Sequence, residues 1–241
     1  MGLVCSSTSH TETGVIPLNA EKMRMRRLRA GLLSAARGIE EEVEGSRRRC
    51  AMVTLTYGPG VDYDPGQISG ALKALKSWAD REGYWVRWLW RLEFGELHGR
   101  LHYHVLVWLP EGAYMPRWDE RGWWAHGMTR MEEARSPVGY MAKYASKAAV
   151  WVGERRFNTK GARWWGGRYS SAVRLLVRLR TAPRWVQDKA EVIGGVVRRL
   201  AFGWWRIGAW EFRSPWECVG FSGGVKLRWR GWDQYDFCSV G

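Results

Sequence analysis

The sequence has only four cysteines in 241 residues, scattered at Cys5, Cys50, Cys218 and Cys238, and no CxxC pair. That excludes a zinc cage built on paired thiolates and a disulfide frame, and it fits reduced thiols in a cytoplasmic protein. No run of about 18 apolar residues occurs, which excludes a membrane-spanning helix, and no apolar leader follows the first residues. A P-loop of the form GxxxxGKS/T is also missing, so no ATP-driven motor accompanies the chain's chemistry. Acidic residues are in short supply, 24 Asp+Glu against 38 Lys+Arg, for a net charge of +14. A deficit of that size points to a polyanionic partner, nucleic acid ahead of a membrane surface.

Tryptophan, by contrast, is abundant: 18 residues, a content that excludes a disordered basic tail. The charge is uneven, −1 over residues 1–20, +4 over 21–49, +1 over 50–150 and +10 over 151–241. The near-neutral centre reads as a packed domain. The C-terminal part also holds ten of the tryptophans. Interleaved Arg and Trp suit single-stranded nucleic acid, with Arg on phosphates and indoles on bases. They equally describe a Trp-rich core under a solvated basic face, and composition does not separate the two.

Along the chain, polar residues 1–20 are expected to be disordered. Residues 21–47 form a basic-then-acidic helical arm, expected to break near Gly31 and Gly38. The principal domain covers 48–150, and 151–241 is a basic, Trp/Arg-rich C-terminal extension. Within the domain, β-branched content predicts a strand over 51–57, stopped by Gly58-Pro59-Gly60. Ile68, Leu72, Leu75 and Ala79 recur at helical spacing and predict a helix over 64–82. Strands over 84–94 and 101–109 form a hairpin around the turn 95–100. After an irregular Trp-rich stretch, a strand over 127–132 precedes a helix from Ser136 to about residue 150, with Pro137 in its first turn. This order predicts an α+β fold, a ferredoxin-like antiparallel β-sheet flanked by helices.

Two constellations carry chemistry. His102 and His104 are two apart on a strand, so their side chains share a face, and Glu93 comes across from His102 when the hairpin folds. Two imidazoles and a carboxylate suit a divalent cation such as Mg, Mn or Zn. A His-x-His pair also recurs in sheets that hold no metal. Glu96 is an alternative ligand in the turn, His98 reads as a solvated turn residue, and His126 reads as structural. In the last helix, Tyr140, Lys143, Tyr144 and Lys147 fall on one face at 100° per residue, while Val138, Met141, Ala142 and Ala145 turn to the sheet. A tyrosine flanked by ammonium groups is a plausible nucleophile, because positive charge favours phenolate and orients phosphate. The bland alternative is an amphipathic surface helix.

Three segments in order, Val53-Thr54-Leu55-Thr56, Gly99-Arg100-Leu101-His102-Tyr103-His104-Val105 and Tyr140-Met141-Ala142-Lys143-Tyr144-Ala145-Ser146-Lys147, resemble the motifs of HUH endonucleases that initiate rolling-circle replication. The last is similar to the paired-tyrosine motif of gene A-type replication proteins of single-stranded DNA phages. The resemblance covers about residues 48–150. Arg163-Trp164-Trp165-Gly166 looks like a segment seen downstream in phage and plasmid initiators. The resemblance implies that His102, His104 and Glu93 hold Mg2+ or Mn2+ against the scissile phosphate of a single-stranded DNA origin. It implies that Tyr140 or Tyr144 attacks, forming a 5′-phosphotyrosine and leaving a 3′-OH, with Lys143 and Lys147 steadying charge. Arg100, Arg163, Arg168 and Trp164 are then DNA contacts. The resemblance implies a host polymerase that extends the primer, a host helicase that unwinds, and a cytoplasmic setting, that of the bacterial host if the chain is phage-encoded. Two readings compete: a two-tyrosine transposase with the same chemistry, and a non-catalytic single-strand-binding protein whose tyrosines only stack.

Overall fold

The computed structural model describes residues 15–95, 100–147, 163–200, 203–220, 225–230 and 237–239. In chain order the elements are β1 (Val15–Leu18), α1 (Ala20–Val43), β2 (Arg48–Tyr57), α2 (Gln67–Arg81), β3 (Arg87–Phe94), β4 (Leu101–Pro110), β5 (Gly127–Glu133) and α3 (Pro137–Lys147). There follow β6 (Trp165–Arg168), α4 (Ser171–Thr181), α5 (Arg184–Ile193), β7 (Val197–Arg199), β8 (Trp204–Ile207), β9 (Trp210–Arg213), β10 (Trp216–Gly220), β11 (Val225–Trp229) and β12 (Phe237–Ser239). The chain divides into two compact units, residues 27–181 and residues 1–26 with 182–241.

The 27–181 unit is built on a five-stranded sheet of order β5-β2-β4-β3-β6, every neighbouring pair antiparallel. The expected helix-backed antiparallel sheet is what forms. Its first four strands follow the ferredoxin-like pattern, with β2 beside β4 because the α2 crossover carries the chain past that position. Alternation along the strands gives the sheet two distinct faces. One face packs α2: Val53, Leu55, Trp88, Trp90, Tyr103 and Val105 meet Ile68, Leu72, Leu75 and Trp78. The irregular segment between β4 and β5 joins that core, burying Trp118 and Trp124 completely or nearly so. Gly83, at φ +68°, ends α2 in a conformation that a side chain disfavours.

The other face packs α1, α3 and α4, with Met52, Leu89, Leu106 and Trp108 against Leu32, Ile39, Met141, Ala145, Val173 and Val177. Two expectations change here. The helical arm does not break at Gly31 and Gly38: α1 runs through both, and each glycine admits a close neighbour. A Cβ on Gly31 would stand 2.6 Å from Cζ2 of Trp165, and one on Gly38 would stand 3.0 Å from Val173. Those glycines are contact points, and the helix tolerates them because packing outweighs their propensity. The unit also extends past residue 150, since β6 adds to the edge of β3 and α4 covers the α1 face.

In the second unit, β1-β11-β10 form a three-stranded sheet and β12-β9-β8-β7 a four-stranded one. Val15–Leu18, inside the stretch expected to be disordered, is therefore an edge strand, and Ala20 at its end already begins α1; residues 1–14 lie outside the described residues. No helix among the described residues is long and apolar enough to cross a membrane.

Candidate active site

The face that carries α1, α3 and α4 turns polar at one end of β2, β3 and β4. Register sets the neighbours: Glu93 opposite His102, Arg91 opposite His104, Thr54 opposite His104 and Thr56 opposite His102. The two histidines and Glu93 thus come together as their strand positions require. Nε2 of His104 stands 3.2 Å from Oε1 of Glu93, and the two imidazole centroids are 6.4 Å apart. Each histidine is held from behind by a threonine: Thr54 Oγ1 lies 3.2 Å from His104 Nδ1, and Thr56 Oγ1 lies 2.9 Å from His102 Nδ1. When the threonine oxygens accept from Nδ1–H, each Nε2 is left with a lone pair facing the site.

Arg91, Glu93 and His104 are three of the four buried polar or charged side chains among the described residues. Burying charge is costly unless it is paired or used. Arg91 is 2% exposed; it donates from Nη1 to the Trp164 carbonyl at 2.8 Å. Burial draws its pKa down to about 10, with the Glu93 carboxylate acting in the opposite direction. Burial also lowers the pKa of His102, as does the neighbouring His104; Glu93 opposes the shift and Arg100 adds to it. A depressed His102 is neutral, the form that binds a metal.

Among the described residues, no group of three or more His, Cys, Asp or Glu side chains is already gathered as a metal cage. In kind, two imidazoles and a carboxylate suit a divalent cation. Glu93 Oε2 is buried and has no hydrogen-bond partner, an acceptor waiting for a donor or a cation. Gly95 keeps the Nε2 side of His102 open, because a Cβ there would collide with that nitrogen. His102, His104 and Glu93 are thus the residues able to hold such an ion. Glu96 and His98 lie outside the described residues.

The tyrosine helix meets this cluster through Tyr144, whose ring stacks on His104 with centroids 3.9 Å apart and planes 11° from parallel. Its hydroxyl points to Met52 Sδ at 3.9 Å. The expected division of α3 into a Tyr/Lys face and a sheet-packing face is corrected here. Tyr144 is 7% exposed and belongs with Met141 and Ala145, whereas Lys143 is exposed. At 100° per residue, positions 141, 144 and 145 form one stripe, and the sheet takes all three. Tyr140, one turn earlier, is partly buried beside the same core. Burial, then the charges of Glu93 and Glu132, raise the Tyr144 pKa to about 12. Lys143 Nζ lies 5.9 Å from the Tyr144 ring centroid. The Lys147 side chain and residues 148–150 lie outside the described residues.

The expected DNA contacts divide between the two faces. Arg100 is exposed at the start of β4, beside His102. Trp164 packs on Phe94 at 6.1 Å between centroids and lies 5.5 Å from the Arg91 guanidinium. Arg163 and Arg168 lie on the α2 side, Arg168 over the Trp88 ring at 5.4 Å. His126 packs on Tyr57 and Trp124, in keeping with its structural reading. Sequence reading missed Arg91 and the roles of Thr54 and Thr56. The signal was present: Arg91 and Glu93 are the only charges inside the apolar strand 88–94 and share one parity, as do Thr54 and Thr56.

Residues 50–149 match the family model described as replication-associated protein ORF2/G2P. That stretch runs from Cys50 in β2 to just beyond α3 and so spans the His102, His104, Glu93, Tyr140 and Tyr144 positions. No curated protein and no solved structure matches the chain.

Proposed function

We propose that the chain nicks and rejoins single-stranded origin DNA to initiate rolling-circle replication. The observation that carries this reading is the stacking of Tyr144 on His104, which joins the tyrosine helix to the His102/His104/Glu93 cluster in one site. A protein that used its tyrosines only to stack on bases has no need of a buried carboxylate with an orphan oxygen beneath them.

In this reaction a phenolate oxygen of Tyr140 or Tyr144 attacks the scissile phosphorus. The P–O3′ bond breaks, the 3′ oxygen takes up a proton, and the 5′ phosphate remains on the tyrosine. Rejoining reverses these bonds with a 3′-OH as the attacking group, so the phosphodiester energy is kept throughout. His102, His104 and Glu93 would hold a Mg2+ or Mn2+ ion, which would supply Lewis-acid polarisation of the phosphate. Thr54 and Thr56 fix the histidine tautomers, and Arg91 holds positive charge beneath Glu93. Lys143 and Lys147, on the same helix as the nucleophiles, would balance phosphate charge. Tyrosines at i and i+4 are one turn apart, which suits alternation between cleavage and resealing at one position. With no P-loop in the sequence, strand separation falls to a host helicase and extension to a host polymerase.

The test is a covalent-adduct assay on single-stranded DNA from the protein's own intergenic region, with Mn2+ or with EDTA. Wild type is compared with Tyr140→Phe, Tyr144→Phe and the double substitution. The expected result is an SDS-resistant adduct that needs metal and disappears in the double variant. Metal-independent binding with no adduct on any native sequence overturns the proposal in favour of a binding protein.

A further inference from the structure

The face opposite the histidines holds a cleft of about 550 Å3 between α2 and the β3–β6 edge. Adjacent residues of a strand point to opposite faces, so the strands that supply Glu93 and His102/His104 to one side supply Trp90 and Tyr103 to the other. The sheet therefore separates the cleft from the tyrosine site. Tyr63, partly buried, gives it an aromatic wall over a floor of the core residues Trp88, Trp90 and Tyr103, and Lys73, Lys76 and Arg163 give it cations. Lys76 is paired with Asp80, while Lys73 and Arg163 are exposed at the rim. Among the described residues that line the cleft there is no carboxylate. Its width depends on glycine: a Cβ on Gly166 would stand 2.8 Å from the Trp90 ring, and one on Gly167 would stand 2.6 Å from the Trp88 carbonyl.

We infer that this cleft is a second DNA-binding site, which takes a base and its phosphate from a single strand on the side of the sheet away from the tyrosines. The volume lies in the range of ligand pockets and accommodates a nucleotide. The Tyr63 ring accepts the flat face of any base, and the exposed Lys73 and Arg163 at the rim suit a phosphate. A free nucleotide offers the same base and phosphate, so the test must separate it from a strand. The inference rests on the reading of the chain as a DNA-handling protein, though not on the nicking chemistry.

The full chain is titrated, in EDTA, with a fluorescein-labelled oligothymidylate of about 16 nucleotides. Lys73→Glu, Arg163→Glu and Ser69→Trp, the last narrowing the cleft, each alter an exposed side chain. Each is expected to weaken binding by about tenfold, with Lys73→Gln losing less than Lys73→Glu and all far-ultraviolet circular dichroism spectra unchanged. A strand carrying 5-iododeoxyuridine is expected to cross-link on irradiation to peptides containing Tyr63 or Trp88. Wild-type affinity in all three variants overturns the inference, as does thymidine monophosphate competing as well as the strand does. The same proteins are assayed for adduct with Mn2+. Lost binding in the variants with no adduct in wild type removes the nicking reading and leaves the cleft, and adduct with unchanged binding does the reverse.

Discussion

At the residue scale, the candidate site depends on side chains that stand behind its histidines. Thr54 and Thr56 do nothing for the sheet that valine would not do, yet both spend their hydroxyls on imidazole nitrogens. Thr54→Val keeps shape and strand propensity and removes only the partner of His104 Nδ1, freeing the ring to adopt the other tautomer. Adduct formation is expected to require about 10–100-fold more Mn2+, with Thr54→Ser restoring it; an unchanged Mn2+ titration would remove the threonine from the site. The opposite face makes a separate prediction about pH. Burial raises the phenol pKa values of Tyr57 and Tyr103, with neighbouring tyrosines adding to the effect. A raised folded-state pKa contributes stability that is present below the ordinary tyrosine value of about 10 and is lost as pH climbs beyond it. Absorbance at an ionised-tyrosine wavelength should therefore rise late, together with the loss of native circular dichroism above pH ~10. Early ionisation of every tyrosine in a still-folded chain would contradict the buried placement of these two rings.

At the scale of elements, what was legible followed periodicity. The β2, α2, β4 and β5 segments announce themselves by alternation or by helical spacing, and hairpin register alone puts Glu93 opposite His102. What was not legible depended on partners distant in sequence. Tyr144 belongs to the buried stripe because His104 and Met52 offer it a surface, a fact no helical wheel of α3 contains. Gly31 reads locally as a helix breaker because its local cost is visible and its contact with Trp165, more than a hundred residues away, is not. This contact gives a prediction of unusual sign. Glycine to alanine inside a helix ordinarily gains about 1 kcal/mol. In Gly31→Ala the new Cβ meets the Trp165 ring at 2.6 Å, and overpacking costs about 1–3 kcal/mol. Urea unfolding should show a net loss of stability; a gain would mean that Trp165 moves aside freely.

At the scale of the whole molecule, the charge has a different address from the one that linear segments suggest. Counted by segment, +10 falls on residues 151–241, the part read as an extension. Counted by compact unit, residues 27–181 hold 26 basic and 16 acidic residues, and the remainder holds 12 and 8. The unit that carries the tyrosines and histidines thus has a net charge of +10, and the other has +4. The difference comes from residues 151–181, whose described part includes α4 with Arg174, Arg178 and Arg180 exposed. Tryptophan divides in a similar way: Trp78, Trp108, Trp118 and Trp124 are core residues of the 27–181 unit, so tryptophan abundance alone does not mark a nucleic-acid surface. Counterion release then makes a quantitative claim. For a single strand, each neutralised phosphate contributes a slope of about −0.7 in log affinity against log salt. With about five contacts, affinity should fall roughly a hundredfold between about 50 and about 200 mM salt. Replacing Arg174, Arg178 and Arg180 together by glutamine should flatten that slope more than replacing Arg198, Arg199 and Arg213, which are exposed in the less charged unit. Equal flattening by the two triple variants, measured by fluorescence anisotropy across the salt series, would assign the single strand to both units alike.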